Sequence, residues 1–222
     1  MYCYDFKSLF PQYNMTYERD KVTISELDQK AKVKSITWQN SCFQNFDTHI
    51  AKDMTSFFQA AKASNLFYDD CDGLIMFNEE GQKYMFFNEL KSNFDSRDIY
   101  HARNQIISTY LKFNLLFHFL QGYDPSQFIV KGFIVSLPPN KDYLRDLHKQ
   151  TFLPNGLSRA EAVFTYNLCY NEKQKCEIKP SDCFEITHLP LADRGIFKKM
   201  EIYHIDVNPL SSSITLDVKD FI

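Results

Sequence analysis

The feature that most constrains the fold is a pair of short apolar segments joined by a polar turn. The segments are CDGLIMF, residues 71–77, and YMFFNELK, residues 84–91, with NEEGQK between them. Apolar runs of this length on either side of a glycine-containing turn are typical of a β-hairpin. The sequence therefore predicts a hairpin that turns around Glu80-Gly81, with a loop of either two or four residues.

Helices are predicted on both sides of this hairpin. Apolar residues spaced by three and four predict an amphipathic helix over residues 43–65. A second helix is predicted over residues 95–121, because Asp95 or Ser96 can cap its start and a glycine and a proline follow its end. Residues 127–138 are rich in β-branched and aromatic side chains and predict a strand. This order predicts an α/β fold: a mixed sheet with a central antiparallel hairpin flanked by helices.

The C-terminal third carries weaker signals. SRAE, residues 158–161, has the spacing of a capping box and predicts a helix through about Tyr166. The segments DCFEITHL, MEIYHIDV and SITLDVKDF have strand patterns, and we expect them to extend or flank the sheet. A chain of 222 residues can bury a large core in one domain. We therefore expect a single domain over residues 1–222, with a core at about 43–138 and an α/β extension at about 139–222.

Composition bears on the partners and the compartment. The chain is 16% aromatic. Because its formal net charge is −3, a polyanion must be held by a local patch of basic residues. Basic residues that could form such a patch, or lie solvated, are Lys30, Lys32, Lys34, Arg145, Lys149, Arg159, Arg194, Lys198 and Lys199. Six scattered cysteines and the lack of a secretory or membrane-spanning segment favour a reducing, intracellular, cytoplasmic setting without a membrane partner.

Charged residues at the end of the hairpin need an explanation. Glu89 and Lys91 are two residues apart, so in a strand both side chains lie on one side of the sheet. If the hairpin turns at Glu80-Gly81, Asp72 faces Glu89, and opposed Cβ atoms are about 4.5–5.5 Å apart, where like charges destabilise. A divalent cation between the carboxylates would remove this repulsion, and Mg²⁺ prefers such oxygen ligands. A lysine beside it could polarise a water or stabilise charge on a phosphate.

These residues resemble the D…(D/E)-x-K signature of the PD-(D/E)XK nucleases, the restriction-endonuclease-like superfamily. The helix, hairpin, helix, strand order from residue 43 to residue 138 is similar to the core of that family. The resemblance implies that Asp72 and Glu89 bind Mg²⁺ or Mn²⁺, that the Leu90 carbonyl can add a ligand, and that Lys91 orients the attacking water. It also implies that Gln105, at the edge of the apolar stripe of the second helix, supports the site or contacts the phosphate.

Several positions keep two interpretations. Cys71 stands where the signature has a proline, which many members of the family lack. Asp47 or Asp53 could add an acid from the first helix, as some members do, or could be solvated. Gln105 could equally be an ordinary residue at a helix boundary. The hairpin itself could be an edge hairpin whose acids face water, since an E-x-K triplet alone is common.

A zinc site is the other metal chemistry that the sequence suggests. Cys169, Cys176 and Cys183 recur every seven residues and His188 follows them. However, the chain has no C-x-x-C pair, the spacing that lets two thiolates reach one ion from a tight turn. Half-buried cysteines are the favoured interpretation.

The resemblance implies a function. We expect a metal-dependent nuclease, a hydrolase of phosphodiester bonds in nucleic acid, with DNA the favoured substrate. The alternative is a catalytically inactive nuclease-like subunit that binds nucleic acid or a partner protein, because the chain has no long basic stripe. The sequence also allows a protein partner or a homo-oligomer.

Overall fold

The computed structural model describes residues 2–59, 65–170 and 174–222. Within these residues the chain forms one mixed sheet of eight strands, with six α-helices. The strands are β1 (Thr16–Ser25), β2 (Ser35–Phe46), β3 (Gly73–Glu79), β4 (Gln82–Leu90), β5 (Phe128–Ser136), β6 (Lys175–Ile178), β7 (Met200–Asp206) and β8 (Ser213–Asp217). The helices are α1 (Tyr2–Leu9), α2 (His49–Gln59), α3 (Ser96–Phe117), α4 (Lys141–Gln150), α5 (Leu157–Tyr170) and α6 (Phe184–Thr187). The predicted α/β class with a mixed sheet is confirmed.

The predicted hairpin, β3 and β4, lies in the middle of the sheet. The strand order is β1-β2-β3-β4-β5-β7-β6, and β8 pairs with β2 in parallel. Strand β3 is antiparallel to both β2 and β4, whereas β5 is parallel to both β4 and β7. The C-terminal ends of β4, β5 and β7 therefore meet at one edge of the sheet.

The centre of the sheet is buried on both faces. One face packs against helices, with Phe87 of β4 against Tyr110 of α3. The other face is covered by the first half of β2, where Trp38 packs edge-on against Phe86 and Phe133. Because both faces are apolar, β3 and β4 are almost continuously hydrophobic.

The predicted helix over residues 43–65 is wrong at its start. Phe43 and Phe46 belong to β2, and α2 begins only at His49. Phe43 packs into one core and Phe46 into the other, so a spacing of three reflects a strand buried on both sides and not a helical stripe. Residues 60–64 lie outside the described residues, and a short 3₁₀ turn, Asn65–Tyr68, precedes the hairpin.

The second helix and the strand after it are confirmed. Asp95 caps α3 by accepting bonds from two backbone amides, and the helix ends at Phe117 rather than at residue 121. Gly122 adopts a φ of 74° in the following turn, a conformation that glycine enters without the steric cost of a Cβ. Strand β5 lies within the predicted range of 127–138.

The C-terminal predictions are partly wrong. MEIYHIDV forms β7, and the first half of SITLDVKDF forms β8, but DCFEITHL forms the helical turn α6 instead of a strand. The predicted helix after Gly156 exists as α5, yet Ser158 lies inside it, because the first helical residue is Leu157. The sequence signals also missed α4, which Asn140 caps.

Candidate functional site

The turn of the hairpin sets which residues face each other. Glu80 and Gly81 have φ values of 51° and 84°, the positive pair that a two-residue type I′ turn requires. Glu79 pairs with Gln82, and the register continues to Gly73 opposite Asn88. One residue beyond the ladder, Asp72 comes level with Glu89, as the sequence predicts.

The Asp72 side chain is hydrogen-bonded to the other strand of the hairpin. Its Oδ2 accepts a hydrogen bond of 2.7 Å from the Leu90 backbone N. This contact fixes the carboxylate next to the main chain of the Glu89-Leu90-Lys91 triplet. The pKa of Asp72 is raised to about 6, chiefly because of burial; the bond from Leu90 opposes this rise and the charge of the nearby Glu26 adds to it.

Glu89 is a buried acid with one oxygen unused. The residue is 3% exposed, its Oε1 lies 2.7 Å from Lys91 Nζ, and its buried Oε2 has no hydrogen-bond partner in the part of the chain that the structure describes. Burial raises the pKa of Glu89 well above its usual value, and the charge of Asp72 adds to this effect despite the attraction of Lys91. Buried carboxylate oxygens are nearly always hydrogen-bonded, so this exception needs an explanation.

Lys91 and Gln105 are joined in the same cluster. Lys91 Nζ donates a bond of 2.6 Å to Gln105 Oε1, so one ammonium contacts both the Glu89 carboxylate and the amide on α3. Gln105 Nε2 in turn donates to the Asp70 carbonyl at 3.0 Å. Gln105 therefore connects the hairpin to the segment that precedes it.

A second charged pair lies behind this cluster, and sequence reasoning missed it. Lys112 of α3 and Asp70 are paired at 2.7 Å, with side chains 0% and 2% exposed. Asp70 also accepts a bond from Thr55 of α2 at 3.2 Å. The spacing of α3 places Lys112 seven residues after Gln105, which is two helical turns, but nothing in the sequence links it to Asp70.

The predicted residues line one cavity of about 400 Å³ at the C-terminal end of β4. Its lining residues are Glu26, Asp28, Ala31, Lys52, Tyr68, Asp69, Asp70, Asp72, Glu89, Leu90, Lys91, Ser92 and Gln105. The structure therefore brings together all five predicted site residues. It adds acids from the β1–β2 loop that no sequence signal indicated, because they reach the cavity only through the tertiary fold.

The alternative acids lie elsewhere. Asp47 accepts bonds from the backbone amides of Asn14 and His49, and Asp53 accepts a bond from the Tyr13 hydroxyl. Neither lines the cavity. Of the two interpretations that the sequence left open for these acids, a place in the site is therefore not observed, and α2 contributes Lys52 to the lining.

Metal binding depends on the number of ligands that the cavity offers. Within residues 2–59, 65–170 and 174–222, no three His, Cys, Asp or Glu side chains are grouped closely enough to hold an ion by themselves. Cys169, Cys176 and Cys183 are among these described residues and form no such group. Burial raises the pKa of each of the three thiols. Mg²⁺ and Mn²⁺ need no such group, since one or two carboxylates together with water and substrate oxygens are enough. Asp72 and Glu89 are suited to this role.

A larger cavity of about 960 Å³ lies at the opposite end of the parallel strands. It is formed by the start of β5, the end of α3 and the segment before β7, which includes Arg194, Lys198 and Lys199. None of the five predicted site residues lines it. Size alone therefore does not select the candidate site. The other buried acid oxygen without a hydrogen-bond partner among the described residues, Asp206 Oδ1, lies 3.4 Å from His204 and lines neither cavity, whereas Glu89 lines the smaller cavity together with Asp72 and Lys91.

Comparisons of this chain with family models, with curated proteins and with solved structures each found no match. Among the helices in the described part of the chain, none combines the length and the apolar character needed to cross a bilayer.

Proposed function

We propose that this chain is a metal-dependent phosphodiesterase that cleaves nucleic acid, with DNA the favoured substrate. The observation that carries the proposal is the buried Glu89 Oε2, which has no hydrogen-bond partner among the described residues and belongs to a side chain that lines the same cavity as Asp72. A carboxylate in this state costs free energy unless a cation or a proton compensates it. A divalent cation held by both acids would supply that compensation.

Each residue of the cluster has a role in this proposal. Asp72 and Glu89 would hold the Mg²⁺ or Mn²⁺, and the Leu90 carbonyl can add a ligand because its main chain adjoins Asp72. The ion supplies positive charge that polarises a phosphate oxygen. Lys91 Nζ orients the attacking water and offsets charge that builds on the phosphate. Gln105 positions Lys91 through the bond of 2.6 Å.

The fold supports the same proposal. The order α2, β3, β4, α3, β5 is the helix, hairpin, helix, strand order that the resemblance to the PD-(D/E)XK nucleases implies. We accordingly propose a restriction-endonuclease-like fold within a single domain, with its core near residues 43–138. The described cysteines are all free thiols, which agrees with a reducing, cytoplasmic setting.

Cleavage assays test the catalytic role. Plasmid, single-stranded DNA and RNA are incubated with the purified protein in Mg²⁺, in Mn²⁺ and in chelator. Glu89→Gln and Lys91→Ala should each abolish cleavage, while the control Glu177→Gln, an exposed glutamate of β6, should cut like the wild type. Undiminished cutting by both site variants would refute the proposal.

A calorimetric titration with Mn²⁺ separates the nuclease from an inactive nuclease-like subunit. The wild-type chain should bind Mn²⁺, and Asp72→Asn should lose that binding. A chain that binds no Mn²⁺ yet still binds nucleic acid or a protein would be the inactive subunit.

A further inference from the structure

An aromatic residue without a partner lies at the candidate site. Tyr68 lines the cavity and is 50% exposed, at the end of the 3₁₀ turn that leads into Asp69 and Asp70. No hydrogen bond, ring contact or cation contact to Tyr68 occurs in the part of the chain that the structure describes. The turn is nevertheless fixed, because the neighbouring Phe67 is buried and its ring stacks on that of Phe58 with centroids 4.6 Å apart.

The charge of the cavity restricts how a polyanion can enter. Glu26, Asp28 and Asp69 line its walls, whereas Lys52 and Lys91 are its only lysines or arginines among the described residues. Carboxylates repel a phosphate backbone, and affinity for nucleic acid normally grows with the number of phosphates that lysine and arginine neutralise. The walls therefore oppose contact with many phosphates, and the carboxylate pair offers a place for one phosphate together with its cation.

The size of the cavity also limits how much of a nucleic acid can enter it. A volume of about 400 Å³ lies near the lower end of the roughly 300–1,000 Å³ typical of small-molecule sites. Such a volume suits one nucleotide. A base inside a duplex is stacked and paired on all sides, so it could reach the Tyr68 ring only after it is unstacked.

We propose that the cavity takes one unpaired nucleotide, with its base stacked on Tyr68 and its phosphate at Asp72 and Glu89, so that the substrate is single-stranded nucleic acid. This inference rests on the proposed function and narrows its substrate class. Stacking of a base on an aromatic side chain is tolerant of sequence and contributes about 1–3 kcal/mol per base. DNA and RNA share this chemistry, and the experiment has an arm for each.

Fluorescence anisotropy in Mn²⁺ measures the stacking directly. Lys91→Ala, which keeps both carboxylates, provides the background in which labelled strands are not cut. Single-stranded DNA, RNA of the same sequence and the DNA duplex are titrated with this protein. We expect at least one single strand to bind at least about tenfold more tightly than the duplex, in line with the free energy of one base stack.

Variants of Tyr68 then show whether its ring is responsible. In the same background, Tyr68→Ala should weaken single-strand binding by about 5- to 100-fold, and Tyr68→Phe, which keeps the ring, should bind within about twofold. The matched control is Tyr4→Ala, since Tyr4 is 61% exposed on α1 and does not line the cavity. Because both tyrosines are exposed, neither substitution disturbs the core.

The outcomes separate this inference from the proposed function. Equal binding by Tyr68→Ala, a preference for the duplex, or no nucleic-acid binding would overturn the inference. If Tyr68→Ala binds equally while cleavage still depends on Glu89, only the inference fails. If Tyr68 governs single-strand binding while the wild type cuts no nucleic acid in Mg²⁺ or Mn²⁺, the base site stands and the proposed function fails.

Discussion

Two lysine–carboxylate pairs lie on either side of Gln105 and differ in how their oxygens are bonded. Asp70 is bonded at both oxygens, to Lys112 at 2.7 Å and to Thr55 at 3.2 Å. Glu89 is bonded at one oxygen, to Lys91 at 2.7 Å, and within residues 2–59, 65–170 and 174–222 its other oxygen has no hydrogen-bond partner. In both pairs an ammonium nitrogen lies 2.7 Å from a carboxylate oxygen. Among the described residues, only the Asp70 carboxylate is bonded at both of its oxygens.

This difference distinguishes a pair that holds the fold from a pair that is prepared for a ligand. In the closed pair, Asp70–Lys112, the lysine is 0% exposed and does not line the cavity. In the open pair, Glu89–Lys91, the lysine is 18% exposed and lines it, while both acids belong to the lining. Burial raises the pKa of both acids, but only Asp70 has a complete set of donors. Removal of one partner from a buried ion pair lowers the stability of the fold. A buried carboxylate oxygen that lacks a hydrogen-bond partner also costs free energy, which a bound ligand could recover.

Loss of the closed pair should have the largest effect. Lys112→Met leaves the buried Asp70 without its cation and should lower the free energy of unfolding by about 3–5 kcal/mol. Lys91→Met should cost less than about 1 kcal/mol, because the raised pKa of Glu89 allows it to take up a proton instead. Urea unfolding of both variants measures this contrast. Equal losses would show that the two pairs do not differ as their contacts indicate.

Divalent cations that bind at the open pair, Glu89–Lys91, should stabilise the folded protein. At a Mn²⁺ concentration about one hundred times Kd, binding to the folded chain alone should raise the free energy of unfolding by about 2.7 kcal/mol. Glu89→Gln should remove this stabilisation, and Glu177→Gln should retain it. Thermal unfolding with and without Mn²⁺ provides the measurement. A rise in Tm that is the same for all three proteins would place the ion elsewhere on the chain.

The open pair could be predicted from the sequence because its geometry is local. The Glu80-Gly81 turn fixes the register of β3 and β4, and register alone brings Asp72 level with Glu89. The resemblance to the nuclease family pointed to a glutamine on the second helix, and helical spacing placed Gln105 at the edge of its apolar stripe. These relations hold within a hairpin and a helix, and they do not require knowledge of how distant segments pack.

The closed pair and the cavity walls could not be predicted, because they depend on tertiary contacts. Asp70 and Lys112 are 42 residues apart, and Glu26 reaches the cavity from a loop far from the hairpin in sequence. The start of α2 was misplaced for a related reason. A strand buried on both faces loses the alternation of apolar and polar residues, so Phe43 and Phe46 gave a helical spacing.

The open site should make stability depend on pH. The pKa of Asp72 is about 6 in the folded chain against 3.8 for an ordinary aspartate, so the folded state keeps its proton to higher pH. The contribution of Asp72 to the free energy of unfolding therefore falls by on the order of 2 kcal/mol as pH rises from about 3.8 to about 6, and this contribution is level above that range. Asp72→Asn cannot titrate and should lack this fall.

Unfolding of both proteins in chelator at pH 4, 5, 6 and 7 tests that dependence. The difference in unfolding free energy between the wild type and Asp72→Asn isolates the contribution of Asp72 from all other titrating groups. A difference that stays constant across this range, or that grows in favour of the wild type, would mean that the carboxylate is well solvated and that the cavity does not penalise its charge.

Removal of the link between the two pairs should have the smallest effect. Gln105→Met breaks the bonds to Lys91 Nζ and to the Asp70 carbonyl, and should cost about 1 kcal/mol of stability because the residue is only half-buried. A double-mutant cycle with Lys91→Met should give a coupling of at least about 0.5 kcal/mol, and one with Lys112→Met should give less, since Lys112 does not bond to Gln105. The opposite order of coupling would assign Gln105 to the closed pair and remove its proposed part in positioning Lys91.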